Sequence, residues 1–126
     1  MPDAPDGTLI VEIGITLGQN TVPVSSATEL AATATGTYSG ALTTYQTVAS
    51  WTVTAGKTGV LRAVEMETDT YAKTQWQLTI AGVVQFTGLV IQGPLTLEYP
   101  DVNLAAGAVV LLEARSSDGT AIVADG

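Results

Sequence analysis

Short runs of alternating apolar and polar residues, separated by turn sequences, constrain the fold of this chain more than any other feature. The clearest run is TQWQLTIAG at residues 74–82, in which Trp76, Leu78 and Ile80 alternate with polar residues. A period of two residues places the apolar side chains on one face of a β-strand. Similar runs occur at residues 8–17, 45–54, 60–68, 83–87, 95–99, 108–116 and 120–125.

The strand-like runs follow one another at intervals of roughly 8–12 residues, a spacing typical of all-β sandwiches and barrels. The sequence shows no helical segment long enough to connect parallel strands, so we expect about eight strands in mainly antiparallel sheets. Residues 45–126 form the predicted β-domain. Residues 1–44 form the predicted N-terminal extension, which is an arm or strand followed by an Ala/Thr-rich connecting segment.

The connecting segment, residues 18–44, is rich in Ala, Thr, Ser and Gly, and we interpret it as a long surface loop. Loops of this length are uncommon in compact domains and often carry function. Ser26 and Glu29 have the spacing of a helix capping box, which leaves one or two helical turns as the alternative.

The composition excludes several kinds of chemistry. The chain contains no cysteine and no histidine, so disulfides, thiolate metal sites and histidine-based catalysis are not available to it. With 12 acidic and 4 basic residues the net charge is -8, which repels a phosphate backbone, and we expect no nucleic-acid partner. No apolar run reaches the ~20 residues of a membrane helix. The N-terminus MPDAPDGT lacks a basic start and a hydrophobic signal core. We therefore expect no membrane partner and synthesis in the cytoplasm.

No group of residues makes a convincing catalytic or metal site. Glu65 and Glu67 lie two apart on a predicted strand and so share a face, but adjacent carboxylates on an acidic protein usually form a solvated surface. The loop aspartates are Asp69, Asp101, Asp118 and Asp125, and they do not form a calcium-binding loop motif. The sequence AGKTG at 55–59 lacks the spacing of a phosphate-binding loop. We expect no catalytic residue, no cofactor and no bound metal.

Aromatic residues offer a possible glycan contact. Tyrosine and tryptophan rings stack on sugars when they are exposed. Trp76 and Tyr99 lie on apolar strand faces and are expected in the core. Tyr71 lies in the loop DTYAK and is the best candidate for an exposed aromatic side chain.

Several strands carry more apolar residues than one buried face requires. Val109 and Leu111 lie on the face opposite the expected core residues of their strand. Val83 is adjacent to Val84, and Ile10 interrupts the polar face of the first strand-like run. Such a surplus predicts a subunit interface at Val109, Leu111, Val83 and Ile10, with strand ends tucked under loops as the alternative.

The order of strands and turns in residues 51–126 carries a family resemblance. The relevant segments are WTVTAGKTGVLRAVEMETD, AKTQWQLTIAGVVQF, PLTLEYPD and NLAAGAVVLLEARSSDGTAIVADG. Together they resemble small jelly-roll proteins of tailed-bacteriophage virions. Residues 1–50 lie outside the resemblance, which contains no catalytic signature.

The resemblance implies an antiparallel jelly-roll β-sandwich and a role without catalysis. Proteins of this kind look like trimeric capsid decoration (cement) proteins or domains of head and tail fibres. It implies a homotrimer on the capsid surface of the virion, with the phage major capsid protein as partner. We expect the segment around Thr8, Leu9, Ile10 and Val11 to act as a capsid-docking arm by strand addition. The alternative is a carbohydrate- or receptor-binding module of a fibre or tail tip that uses Tyr71.

Overall fold

A computed structural model describes residues 32–126 of the chain as eight β-strands in two antiparallel sheets. The strands are β1 (Thr37–Gly40), β2 (Gln46–Thr52), β3 (Gly59–Thr68), β4 (Thr74–Ile80), β5 (Val83–Leu89), β6 (Leu95–Leu104), β7 (Val109–Ser116) and β8 (Ile122–Asp125). A single 3-10 turn, Tyr71–Lys73, precedes β4. Residues 32–126 contain no helix that is long and apolar enough to span a bilayer.

The strand pairing defines a jelly roll. The first sheet has the order β1-β8-β3-β6, and the second sheet has the order β2-β7-β4-β5. The hairpin-like pairs β4·β5, β3·β6, β2·β7 and β1·β8 are nested, as if one long hairpin with its tip at residues 81–82 had folded over itself. Eight strands wound in this way over two sheets are the jelly-roll arrangement. The predicted fold class is confirmed.

The core lies between the two sheets and follows the alternation seen in the sequence. In β4 the residues Thr74, Trp76, Leu78 and Ile80 are buried, and the residues between them are half-buried on the outer face. Trp76 and Leu78 have 0% exposure and lie at the centre of the hydrophobic cluster. Burying side chains of this size contributes about 1.5–3 kcal/mol each.

A β-bulge explains the untidy alternation in β3. The register with β6 shifts between Leu61 and Ala63. Arg62 and Ala63 are both exposed, whereas Leu61 and Val64 on either side of them are buried. Between Leu61 and Ala63, β3 advances two residues while β6 moves four, from Val102 to Glu98, so the extra residues lie on β6. The alternation of β3 shifts by one position at this irregularity, and both halves of the strand keep an apolar inner face.

Strand β6 continues further than the sequence predicts. The strand-like run in the sequence covers residues 95–99, but β6 runs through Pro100 and Asp101 to Leu104. Pro100 cannot donate a backbone hydrogen bond, and it is tolerated because β6 is the outer strand of the first sheet among the described strands. Asp101 adopts a left-handed conformation with φ of 46°, which marks the irregularity in the pairing with β3.

Strand β1 lies within the segment that was expected to be a loop. Thr37–Gly40 pairs with β8 as the outer strand of the first sheet, so the sandwich begins before residue 45. The side chain of Thr37 donates a hydrogen bond to the carboxylate of Asp125. The pairing is nonlocal, and the four residues TYSG carry too short a pattern to predict it. The predictions for residues 8–17, Ser26 and Glu29 lie outside the described residues.

Three Ala-Gly pairs, at residues 55–56, 81–82 and 106–107, provide turns between strands. Their glycines have positive φ values of 77°, 83° and 84°, a conformation that glycine adopts without a steric penalty. Backbone bonds link two of these turns to the strands beside them. Ala81 N–H donates to Val109 O at 2.8 Å, and Gly107 N–H donates to Val53 O at 2.9 Å.

Candidate interaction surface

The two outer faces of the sandwich differ in charge. The strands of the first sheet carry Arg62, Glu65, Glu67, Glu98, Asp101 and Asp125. The strands of the second sheet carry only two charged residues, Glu113 and Arg115. Since the chain is acidic overall, the second sheet provides the outer face on which another acidic molecule would meet the least repulsion.

A row of weakly polar and apolar residues crosses the outer face of the second sheet. Thr79 in β4 lies opposite Val84 in β5 on one side and Leu111 in β7 on the other. Leu111 in turn lies opposite Ser50 in β2. Directly opposed residues in neighbouring strands place their side chains about 4.5–5.5 Å apart on the same face. The fold therefore brings Val84 and Leu111 onto one continuous surface.

Two further valines lie near this row, beside the turn at residues 81–82: Val109 is on the same outer face, whereas Val83 pairs with the buried Ile80 and so lies on the opposite face of β5 from Val84. Val109 lies in β7 two residues before Leu111, so it shares its face, and both are half-buried. Val83 begins β5 and is 62% exposed, and Val84 is 52% exposed. We call Val83, Val84, Val109 and Leu111 the apolar corner.

An open groove of about 610 Å³ adjoins the apolar corner. It is lined by Thr79, Ala81, Gly82, Ala105, Ala106, Gly107, Ala108, Val109 and Leu111. These side chains are small or apolar, and none carries a charge. The groove is therefore suited to an apolar protein segment, because no charged group has to be desolvated when it is covered.

The half of the second sheet's outer face that lies away from the apolar corner is polar, and its side chains are hydrogen-bonded to one another. The guanidinium of Arg115 lies 4.5 Å from the centre of the Tyr45 ring, and its Nε donates to Gln75 at 2.8 Å. The Tyr45 hydroxyl accepts the backbone N–H of Gly88 at 2.6 Å. Tyr45 thus connects the segment before β2 to the edge strand β5. Sequence reasoning did not find this cluster, since its members are far apart along the chain.

Strand β5, which is an edge of the second sheet among the described strands, has only part of the usual protection of an exposed edge. Natural edge strands are commonly guarded by charged residues, prolines or bulges. The register of β5 with β4 shifts twice, which indicates bulges. The strand nevertheless has no charged residue, and Val83, Val84 and the following Val90 are exposed. This apolar edge favours contact with another protein surface.

The carboxylates considered in the sequence occupy solvent-facing positions. Glu65 and Glu67 are both exposed on β3, so the prediction that they share a face is confirmed. Among residues 32–126, no three acidic side chains come together in a way that could hold a metal ion.

Two loop aspartates have structural partners. The carboxylate of Asp69 accepts the backbone N–H of Val123 and the hydroxyl of Thr70, both at 2.9 Å, and these bonds lower its pKa. Asp118 pairs with Lys73 at 2.7 Å and accepts the N–H of Thr120, and the bond from Lys73 is the main cause of its lowered pKa. These groups fix the loops that join β3 to β4 and β7 to β8.

The structure places Tyr71 in the 3-10 turn, where it is half-buried and packs against the hydrophobic core. A ring that is engaged in this way offers less surface for stacking on a sugar than the sequence interpretation requires. Trp76 is fully buried and Tyr99 is half-buried against the core, in agreement with the core positions expected for them.

Three of the four predicted interface residues fall in one place. Val83, Val109 and Leu111 are all members of the apolar corner, although they come from two strands that are separated by β6 in the sequence. Ile10 lies outside the described residues, as do the predicted arm residues Thr8, Leu9 and Val11. The subunit interface expected at Val83, Val109, Leu111 and Ile10 stays a prediction.

Comparison with known proteins found no match. No protein-family profile, curated protein or solved structure matches the chain.

Proposed function

We propose that this protein is a non-enzymatic structural protein of a tailed-bacteriophage virion. In this proposal it is a capsid decoration protein that forms a homotrimer and docks on the major capsid protein to stabilise the head. Such a role requires a rigid fold, a self-association surface and a docking surface, and it requires no reactive side chain.

The observation that carries the proposal is the apolar corner. An exposed cluster of this kind is costly to leave in water and marks an interaction surface. The apolar corner lies on the second sheet, whose described strands carry two charged residues, and not on the first sheet, whose described strands carry six. Subunits that associate through it would keep their acidic first sheets apart, which lowers the repulsion between copies of a chain with net charge -8.

The symmetry of a trimer also fits a surface of this composition. In a ring of three subunits each interface joins two different patches, so an edge and a groove can meet across it. The apolar corner contains an exposed edge, Val83 and Val84, and it borders the groove beside Val109 and Leu111. In the proposed trimer the edge of one subunit covers the groove of the next.

The test of the proposal is the molar mass in solution, measured by light scattering after size exclusion. We expect a species of three times the 12.9 kDa chain mass. A protein that remains a monomer at high concentration and on capsids would contradict the proposed self-association.

Replacing both Val83 and Val84 with lysine is expected to convert the trimer to monomers. The two lysines place charges in the interface, where burying them without partners is unfavourable. Both valines are more than half exposed, so the fold should keep its thermal stability. The matched control is Thr96→Lys on the outer face of the first sheet, which should remain trimeric. Equal masses for the two variants would remove the apolar corner from the interface.

Capsid docking is tested by co-sedimentation with heads assembled from the major capsid protein of the same phage. We expect the wild-type protein to bind saturably and to raise the temperature at which the heads disassemble. A trimer that neither binds nor stabilises the heads would exclude the decoration role while leaving the trimer itself intact.

A further inference from the structure

Four planar polar side chains form a regular group on the polar half of the second sheet's outer face. Gln75 and Gln77 lie two residues apart in β4, and Glu113 and Arg115 lie two residues apart in β7. Gln75 is opposite Arg115, and Gln77 is opposite Glu113. Directly opposed residues place their Cβ atoms about 4.5–5.5 Å apart, and residues two apart on one strand are about 7 Å apart on the same face. We call these four residues the polar grid.

The members of the polar grid hold one another in position. Nε2 of Gln77 donates a hydrogen bond to Oε1 of Glu113 at 2.9 Å, and Nε of Arg115 donates to Oε1 of Gln75 at 2.8 Å. The ring of Tyr45 lies against the Arg115 guanidinium, with 4.5 Å between the ring centre and the guanidinium carbon. Side chains that are already ordered lose little further entropy when a ligand binds, so this surface is organised before a ligand arrives.

Each member of the polar grid keeps hydrogen-bonding groups that no other described residue uses. These groups are the second carboxylate oxygen of Glu113, the two Nη atoms of Arg115, Nε2 of Gln75 and Oε1 of Gln77. All four side chains are half-buried, so part of each remains in contact with solvent. The grid therefore presents donors and acceptors side by side. A ligand with several hydroxyl groups requires this combination, because every hydroxyl group both donates and accepts.

The charge of the polar grid favours an uncharged ligand. Glu113 and Arg115 carry opposite charges, so the grid is neutral on a chain whose net charge is -8. An anion would be repelled by the chain as a whole. A cation would meet more carboxylates on the first sheet, whose described strands carry five of them. The ring of Tyr45 adds an aromatic surface of the kind that packs against the C–H groups of a sugar.

We propose that the polar grid, with Tyr45 beside it, binds a neutral saccharide through hydrogen bonds to adjacent hydroxyl groups. The planar end of a glutamine, glutamate or arginine side chain presents more than one polar atom, so it can bind two neighbouring hydroxyl groups of one sugar. This site differs from the glycan contact that the sequence suggested at Tyr71, which packs against the core. It shares no residue with the apolar corner, so it does not depend on the proposed trimer.

The first test is an NMR titration of the isotope-labelled full-length protein with neutral tetrasaccharides. The probes are maltotetraose, cellotetraose, mannotetraose and N-acetylchitotetraose, each added to about 10 mM because a small ligand with few contacts binds weakly. We expect at least one probe to shift the side-chain N–H signals of Gln75, Gln77 and Arg115 saturably. The absence of a saturable shift at these groups with every probe would overturn the proposal.

Two variants test the location of the site. Gln77→Ala removes a donor and an acceptor from the polar grid and is expected to weaken binding of the best probe about five- to tenfold. The matched control is Gln85→Ala in β5, whose amide bonds the carbonyl oxygen of Val83 in its own strand. The control should bind like the wild type, and both variants should unfold at the wild-type temperature because both side chains reach solvent. Equal affinities of the two variants would contradict the assigned site.

Two further measurements test the class of ligand. A sulfated form of the best probe should bind more weakly than its neutral parent, because the chain repels anions, and tighter binding would overturn the assignment to neutral saccharides. The molar mass from light scattering should be the same with and without the probe. A change in mass would place the polar grid in a subunit contact and contradict its role as a free binding surface. Loss of saccharide binding in a protein that still self-associates would reject this proposal alone.

Discussion

Replacing Trp76 with alanine is expected to cost about 3–5 kcal/mol of unfolding free energy, the largest single-residue effect in the described core. Trp76 is the largest of the fully buried side chains, with 0% exposure, and it occupies β4 between β5 and β7. Truncation would leave a cavity in a region where strands on both sides hold the backbone in place. A urea titration followed by circular dichroism measures the loss.

Two further variants, Trp51→Ala and Trp76→Phe, test whether the loss of stability comes from the buried volume of the Trp76 side chain. Trp51 is half-buried at the edge of the core, so Trp51→Ala should cost less than Trp76→Ala. The indole Nε1 of Trp76 is buried and has no hydrogen-bond partner among the described residues. Trp76→Phe therefore removes volume without breaking a bond in that part of the protein, and its cost should fall well below that of alanine. Equal losses for Phe and Ala would mean that the indole nitrogen has an important partner.

Replacing Gly36 with alanine is expected to destabilise the protein by about 1–3 kcal/mol or more, even though it adds a single methyl group. A Cβ atom at Gly36 would overlap the carbonyl oxygen of Val48 in β2 and lie 3.1 Å from its carbonyl carbon. Backbone atoms in a paired strand cannot rotate away as a side chain can. The strain would fall on the bonds between Gly36 and Gly126.

Gly93→Ala is the matched control for Gly36→Ala. A Cβ at Gly93 meets nothing within 4 Å, and its backbone conformation does not require glycine. The same substitution there should be neutral or slightly stabilising, because alanine restricts the unfolded chain. Thermal unfolding of both variants provides the comparison. A Gly36→Ala protein as stable as Gly93→Ala would show that β1 can move away from β2 at little cost.

The sequence determined the local features of this protein. The period of two residues in β4 predicted which side chains enter the core, because consecutive strand residues point to opposite faces whatever the neighbouring strands are. The turn sequences between the alternating runs predicted where the chain reverses, and the glycines at three of these turns adopt positive φ without a side-chain clash. The subunit interface expected at Val83, Val109 and Leu111 from their surplus of apolar side chains stays a prediction.

Only the tertiary structure decided what depends on nonlocal pairing. The strand β1 exists because β8 lies beside it, and β6 accommodates Pro100 because it is the outer strand of its sheet among residues 32–126. The row that joins Val84, Thr79 and Leu111, and the contact of Tyr45 with Arg115, depend on strand order and register. An alternating pattern states which face of a strand is apolar, but the free energy that selects its neighbours comes from contacts between distant parts of the chain.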